Sequence, residues 1–274
     1  MATMMQSLMF GAVGQLRVQP VAQRVRAISG GEVIVDSSAA RLIWEPRRVV
    51  GSYAVPRSDI AGELVAWAGD RADERPVRIG DGPPMLDPSS AFSVHTADGT
   101  GWTIRTAGRE LLGAAFTTAD PDLEGYVLLD WTAFDSWFDE DEPRLAHPRD
   151  PFQRIDCLRS SRHVEVRVDG QILADSSRPT LLLETNLPVR YYLPADDVRL
   201  DLLAPTTTHT ACAYKGVASY WSSTGEHPVA DVCWSYPEPL HDALPVAGMY
   251  CFFGERVELS VDGAIQSRPV TPWS

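Results

Sequence analysis

Lysine is all but absent from this chain. Lys215 is the only one in 274 residues, and arginine supplies every other basic side chain apart from histidine. Chemistry that needs an amine able to lose its proton or form a Schiff base therefore has one candidate, because guanidinium stays protonated. Cysteine is scarce too: Cys157, Cys212, Cys233 and Cys251, with no C-x-x-C pair. That removes the spacing of a structural zinc site and of a thioredoxin-type dithiol, so neither a metal nor a cofactor is expected. Positive charge is short overall, at a net −13. Nucleic acids and anionic membranes both attract basic patches, so neither is expected as a partner. No apolar run approaches the roughly 20 residues of a membrane helix. Met1–Leu16 is rich in Met but lacks a basic n-region and a cleavage site, so no signal peptide is read there, and the cytoplasm is the expected location. The glycine-rich phosphate loop, the G-x-S-x-G elbow, H-E-x-x-H and the Rossmann fingerprint are missing, which leaves the common ATPases, hydrolases, zincins and dehydrogenases without support.

What is present is a duplication. Val25–Glu45 aligns without a gap on Val164–Glu184, placing Gly31 on Gly170, Asp36 on Asp175, Ser37 on Ser176 and Glu45 on Glu184. After a one-residue slip Pro56 falls on Pro194, and near the repeat ends Gly125 falls on Gly248. His95-Thr96-Ala97 is read against His209-Thr210-Ala211. The repeat is too long for a solenoid unit and predicts two homologous domains. The expected boundaries are an extension over 1–23, a first repeat over 24–142, a linker over 143–161 and a second repeat over 162–274. The acidic run from Asp120 to Glu142 reads as a solvated face, since it lacks the alternation of a calcium loop.

Period-two alternation in Val164–Val168 predicts a half-buried strand, and Asp169-Gly170 a tight turn into a returning strand. Short strands with Gly and Pro turns continue through the repeat. The expected fold is mainly β, with antiparallel sheets and short helices after Pro56 and Pro194 and over Trp131–Glu140. The Gly- and Pro-rich stretch between Asp59 and His95 reads as a surface loop.

Candidate chemistry gathers in the second copy. Lys215 lies between Tyr214 and Gly216, ahead of Tyr220 and Trp221, and Trp234, Tyr236 and Glu238 follow. Strand parity puts Trp234 and Tyr236 on one face and Tyr220 opposite Trp221. An aromatic wall beside Lys215 would lower its pKa by burial, or hold a planar or cationic ligand. The expected catalytic groups are Lys215, Tyr214 and Glu238. The expected ligand contacts are Tyr220, Trp221, Trp234, Tyr236, Arg190, Tyr192, His209 and Cys212. His209 and Cys212 stand three apart and should face opposite sides of a strand, which argues against a Cys–His nucleophile. Three readings stay open: an enzyme acting on a small organic molecule, a small-molecule cage without chemistry, and a structural or partner-binding protein.

The segments VDGQILADS, YYLPADDVRLDLL, THTACAYKGVASYW, DVCWSYPEP and VAGMYCFF resemble the bacterial and fungal domain of unknown function 427, with a weaker copy over Arg24–Glu142. HPRDPFQRIDCLRSSRHVEV resembles the linker of tandem members. The resemblance implies a β-tent fold, two antiparallel sheets meeting at an angle, shared with methionine sulfoxide reductase B, glutathione-dependent formaldehyde-activating enzymes and the thalidomide-binding domain of cereblon. Many of those hold zinc on paired C-x-x-C motifs, which this chain lacks. The nucleotidyltransferase-like label attached to the family has no motif behind it here, and a shared fold does not transfer function.

Overall fold

Val164–Val168 pairs with Gln171–Ser176 across Asp169 and Gly170, both at positive φ (49° and 78°), the geometry of a two-residue hairpin turn. The computed structural model describes residues 2–70 and 72–274. Mainly antiparallel β-structure dominates. The chain divides into two units, one of residues up to Val77 with Gly82–Asp150, the other of Arg78–Asp81 with Pro151–Ser274.

In the first unit, seven strands form one sheet: β1 (Arg17–Pro20), β2 (Arg41–Trp44), β3 (Ser52–Pro56), β4 (Glu63–Ala66), β5 (Gly99–Arg105), β6 (Glu110–Thr118) and β7 (Tyr126–Leu129). In the second unit the strands are β8 (Ile155–Arg159), β9 (Thr180–Glu184), β10 (Arg190–Leu193), β11 (Leu203–Cys212), β12 (Gly216–Ser223), β13 (Cys233–Ser235) and β14 (Tyr250–Phe252). Their spatial orders are β1-β2-β3-β7-β6-β5-β4 and β8-β9-β10-β14-β13-β12-β11, the same topology shifted by seven. Each unit adds a four-stranded sheet built on a hairpin, Val25–Ser29 with Glu32–Ser37 and Val164–Val168 with Gln171–Ser176. A register irregularity falls after Ala27 in one hairpin and after Val166 in the other.

Between the two sheets of each unit lies a main core. It includes Val25, Val35, Leu42, Tyr53, Ile104 and Trp137 in the first unit, and Val164, Leu173, Leu193, Cys233, Phe252 and Val261 in the second. The opposite face of each large sheet is also covered. Ile43, Ala54, Phe116 and Leu128 cluster there in the first unit, and Leu182, Tyr192, Trp234, Tyr236, Cys251 and Phe253 in the second.

Register corrects part of the repeat alignment. Phe116 pairs with Leu128, which pairs with Ala54; Trp234 pairs with Cys251, which pairs with Tyr192. Across the next strand Phe116 meets Gly101, and Trp234 meets Tyr220. Gly101 is thus the counterpart of Tyr220, and counting back puts His95 opposite Tyr214 and Thr96 opposite Lys215. The three-residue identity His-Thr-Ala at His209 is a coincidence of composition: His209 sits on edge strand β11, whose counterpart is β4.

Other expectations shift as well. Strand β1, inside the expected extension, pairs with β2, and strand β8, inside the expected linker, pairs with β9. Trp131–Glu140 is not helical beyond one 3-10 turn, Trp131–Ala133. Ser136–Asp139 is a strand instead, because it buries Trp137 and Asp139 in alternation. The stretch read as a surface loop contains β4 and a small pairing of Pro76–Val77 with Met85–Leu86, of which Met85 and Leu86 are fully buried. Among the described residues no helix is long and apolar enough to cross a membrane.

The repeat identities at Ser37 and Ser176 have a structural cause. Ser37 Oγ donates to Asp59 Oδ2 at 2.7 Å and accepts from Ala39 N, and Ser176 Oγ donates to Asp197 Oδ2 at 2.6 Å and accepts from Arg178 N. Each serine ties the hairpin to the short turn after Pro56 or Pro194. Replacing Ser37 or Ser176 with Ala removes a hydrogen bond to a carboxylate and the acceptor of a partly buried N–H and should cost about 0.5–1.5 kcal/mol each. Urea unfolding checks this; an unchanged midpoint in both variants would remove the knot from the account of the fold.

Candidate functional site

The turn from β11 to β12 carries Ala213, Tyr214 and Lys215 and closes on Gly216 at φ 98°. A Cβ at Gly216 would lie 3.2 Å from Glu238 O and 3.3 Å from Leu240 N, so only glycine lets the segment 238–240 cross here. Leu240 N donates to Lys215 O at 3.1 Å and fixes the turn. This directs the only ε-amine in the chain onto the outer face of the large sheet, where its side chain is 13% exposed.

Lys215 Nζ donates to Glu184 Oε2, at the end of β9, and Glu184 Oε1 accepts from Gln153 Nε2 at 3.1 Å. The Glu184 side chain is 8% exposed. Burial works against the ammonium, but the attraction of Glu184 outweighs it and the Lys215 pKa rises. The depressed amine expected from an aromatic wall is therefore not found: the wall comes with a carboxylate that keeps the nitrogen charged.

Arg190 and Tyr192 share the same face on β10. Arg190 is bound by both carboxylate oxygens of Glu255 at 2.8 and 2.7 Å, and Glu255 Oε1 also accepts from Thr271 Oγ1 at 2.6 Å. Its guanidinium carbon lies 5.4 Å from the centroid of Trp234, 5.8 Å from Phe253 and 5.6 Å from Trp273. An aromatic cage for a cation is present, but of the expected cage residues Trp221, Trp234 and Tyr236 only Trp234 belongs to it, and it holds the protein's own arginine. Burial penalises Glu255, yet the Arg190 fork prevails and holds its carboxyl below the ordinary carboxylate value. Trp234 Nε1 donates to Tyr192 Oη at 3.0 Å. Burial pushes the phenols of Tyr192 and Tyr236 well above their ordinary range, so neither is a ready proton donor.

Of the other candidates, Tyr220 joins this face, its hydroxyl 2.6 Å from Thr210 Oγ1, and its ring stacks with Phe253 at 6.4 Å. Trp221 points into the main core against Tyr250 at 5.0 Å and does not reach Lys215. Tyr214 is buried. Glu238 is exposed and forms no ion pair with Lys215, so the expected trio of Lys215, Tyr214 and Glu238 is not assembled. His209 is exposed on β11, its Nδ1 3.3 Å from Ala218 O, and regular pairing from His209 to Cys212 puts the two on opposite faces. Cys212 is half-buried and raises the Lys215 pKa, while Cys157 is half-buried on β8 and senses Lys215. Cys251 lies deeper, its thiol pushed up to about 12 by burial.

Residues 156–263 match the family described as Domain of unknown function (DUF427). The DUF427 segment contains Glu184, Arg190, Lys215, Trp234 and Glu255, so both ion pairs lie within it. No curated protein matches the chain. Among the described residues no group of three or more His, Cys, Asp or Glu side chains could hold a metal ion.

Sequence reasoning missed the carboxylates. Glu184 had a signal, its gapless alignment with Glu45. Glu255 had none, because its partner Arg190 is 65 residues away and no spacing links them.

Selective ¹³C-lysine labelling gives a single residue, whose titration should lie above the ordinary 10.5 and fall in Glu184→Gln. Because this pKa is raised on folding, the pair's stabilisation is complete below 10.5 and is lost as pH rises through the higher folded value. Glu255→Ala strands a buried guanidinium and should destabilise the second unit by about 3–5 kcal/mol in urea unfolding. The Glu255 contribution is present above its ordinary 4.5 and disappears as pH falls through the lower folded value, so acid unfolding of the variant should be less steep.

Proposed function

We propose that the chain is a tandem of two β-tent-type units and that the second is a small-molecule-binding module, with Lys215 as its polar anchor. One observation carries the reading. The ammonium has three N–H donors, and among the described residues its only hydrogen-bond partner is Glu184. Two donors remain for a ligand oxygen, in a setting of low polarity where a hydrogen bond to a charged group is strong.

The same electrostatics count against amine chemistry. A raised pKa leaves almost no free base at neutral pH, so Lys215 is a poor nucleophile and a poor general base. The fit is to a carbonyl or carboxylate oxygen held at the ammonium, with Glu184 fixing the direction of approach. Charge around the site is balanced, Lys215 and Arg190 against Glu184 and Glu255, which favours a neutral or singly charged molecule over a polyanion. A cleft of ≈ 230 Å³ at Val166, Pro188, Tyr191, Phe252, Leu259 and Pro269 borders Arg190 but does not include Lys215.

Benzoate and benzamide test the anchor, since they share a ring and a carbonyl oxygen and differ in charge. At least one should shift the single lysine resonance and raise the melting temperature of the full chain. Lys215→Met should lose about tenfold or more in affinity, the worth of one charge-assisted hydrogen bond. Equal binding by Lys215→Met, or no response of the lysine resonance to either compound, would overturn the reading.

A further inference from the structure

The first unit presents the same strand end with different chemistry. Glu45 directly follows β2 at the position where Glu184 ends β9, and its side chain is 3% exposed. Three donors surround the carboxylate: His95 Nδ1 lies 3.0 Å from Oε1, and Thr96 N and Ala97 N donate to Oε2 at 2.9 and 3.0 Å. The loop before β5 thus wraps the acid with backbone, where the loop before β12 reaches its acid with a lysine side chain.

His95 is held on three sides. Its side chain is 4% exposed. Its ring lies flat on Phe116 at 3.6 Å and 10°, and Phe92 meets it edge-on at 5.0 Å. A carboxylate accepts, so the Nδ1 facing Glu45 carries the ring hydrogen, and in the Nδ1–H tautomer Nε2 presents a lone pair. Among the described residues Nε2 has no hydrogen-bond partner, and it is not among the polar atoms sealed from solvent without one.

The adjoining loop supplies a second, separate observation. Arg48 gathers the carbonyls of Ser90, Ala91, Phe92 and Val94 with its Nη atoms, which shapes the approach to His95. Ser90 Oγ, however, is buried with no hydrogen-bond partner, while Arg48 Nε, buried too, faces Glu45 Oε1 at 3.9 Å. Unanswered buried polar atoms are rare in folded proteins and cluster where a ligand or ordered solvent completes them. Asp130 also senses His95 and Arg48 and is pushed upward, chiefly by burial.

We propose that Glu45 and His95 form a second ligand seat, in the first unit, for a small molecule bearing a hydroxyl or N–H group. Its polarity is the reverse of the Lys215 seat: here the protein accepts the hydrogen bond at Nε2, whereas there it donates. The carboxylate sets the tautomer, Phe116 sets the plane of the ring, and the 90–94 loop borders the approach. Glu45 acts through His95 as a positioning residue. The proposal stands on the first unit alone and does not depend on the reading of Lys215.

Phenol and anisole are the probes, because they share shape and differ by one O–H. In the ¹⁵N-histidine-labelled full chain, His95 should show the Nδ1–H tautomer, and phenol should shift its Nε2 resonance. Anisole should bind about tenfold more weakly, the loss of one hydrogen bond. His95→Phe keeps an aromatic ring on Phe116 and should bind phenol no better than anisole. The tautomer is read on the unaltered chain and needs no folded variant. An Nε2–H tautomer, equal affinity for phenol and anisole, or no binding of phenol would each overturn the proposal.

Discussion

A carboxylate buried at the end of a strand must be met by donors, and both units are organised around that demand. Glu45 and Glu184 occupy the same place in the same topology, at the edge of the outer face of a large sheet. Left alone, either charge would cost several kcal/mol. The loop entering the sixth of the seven strands in the sheet answers it. In one unit the answer is a histidine with two backbone amides, and in the other a lysine together with Gln153. The acid is kept while its partner changes from one unit to the other.

The aromatic residues of the second unit serve this arrangement in a way composition alone does not reveal. Trp234, Phe253 and Trp273 surround Arg190, and Glu255 neutralises it, so the densest ring cluster is already filled. That leaves Lys215, whose charge is fixed but whose hydrogen-bonding capacity is not exhausted, as the group with something to offer.

Much of the fold was legible because it rests on local signals. Alternation gave the hairpin Val164–Ser176, Asp169-Gly170 gave its turn, and the gapless repeat gave the equivalence of the two hairpins and of Glu45 with Glu184. What could not be read depended on distant pairing. His95 was matched to His209 by a short identity, and only the rungs Phe116–Gly101 and Trp234–Tyr220 show the true counterpart. Lys215 was expected to lose its proton because rings announce burial in a sequence, whereas the compensating Glu184 lies 31 residues away on another strand. Glu238, held between two prolines, looked placed for catalysis. The prolines instead carry the backbone across Gly216 and leave the carboxylate in water.

The turn at Gly216 has a practical corollary. With the solitary ε-amine tucked against Glu184, reagents that acylate lysine find it shielded while the second unit is folded. Opening the second unit bares one new nucleophile at a known address. Mass added at residue 215 is then a stoichiometric tally of molecules that have come apart there, free of background from any other lysine.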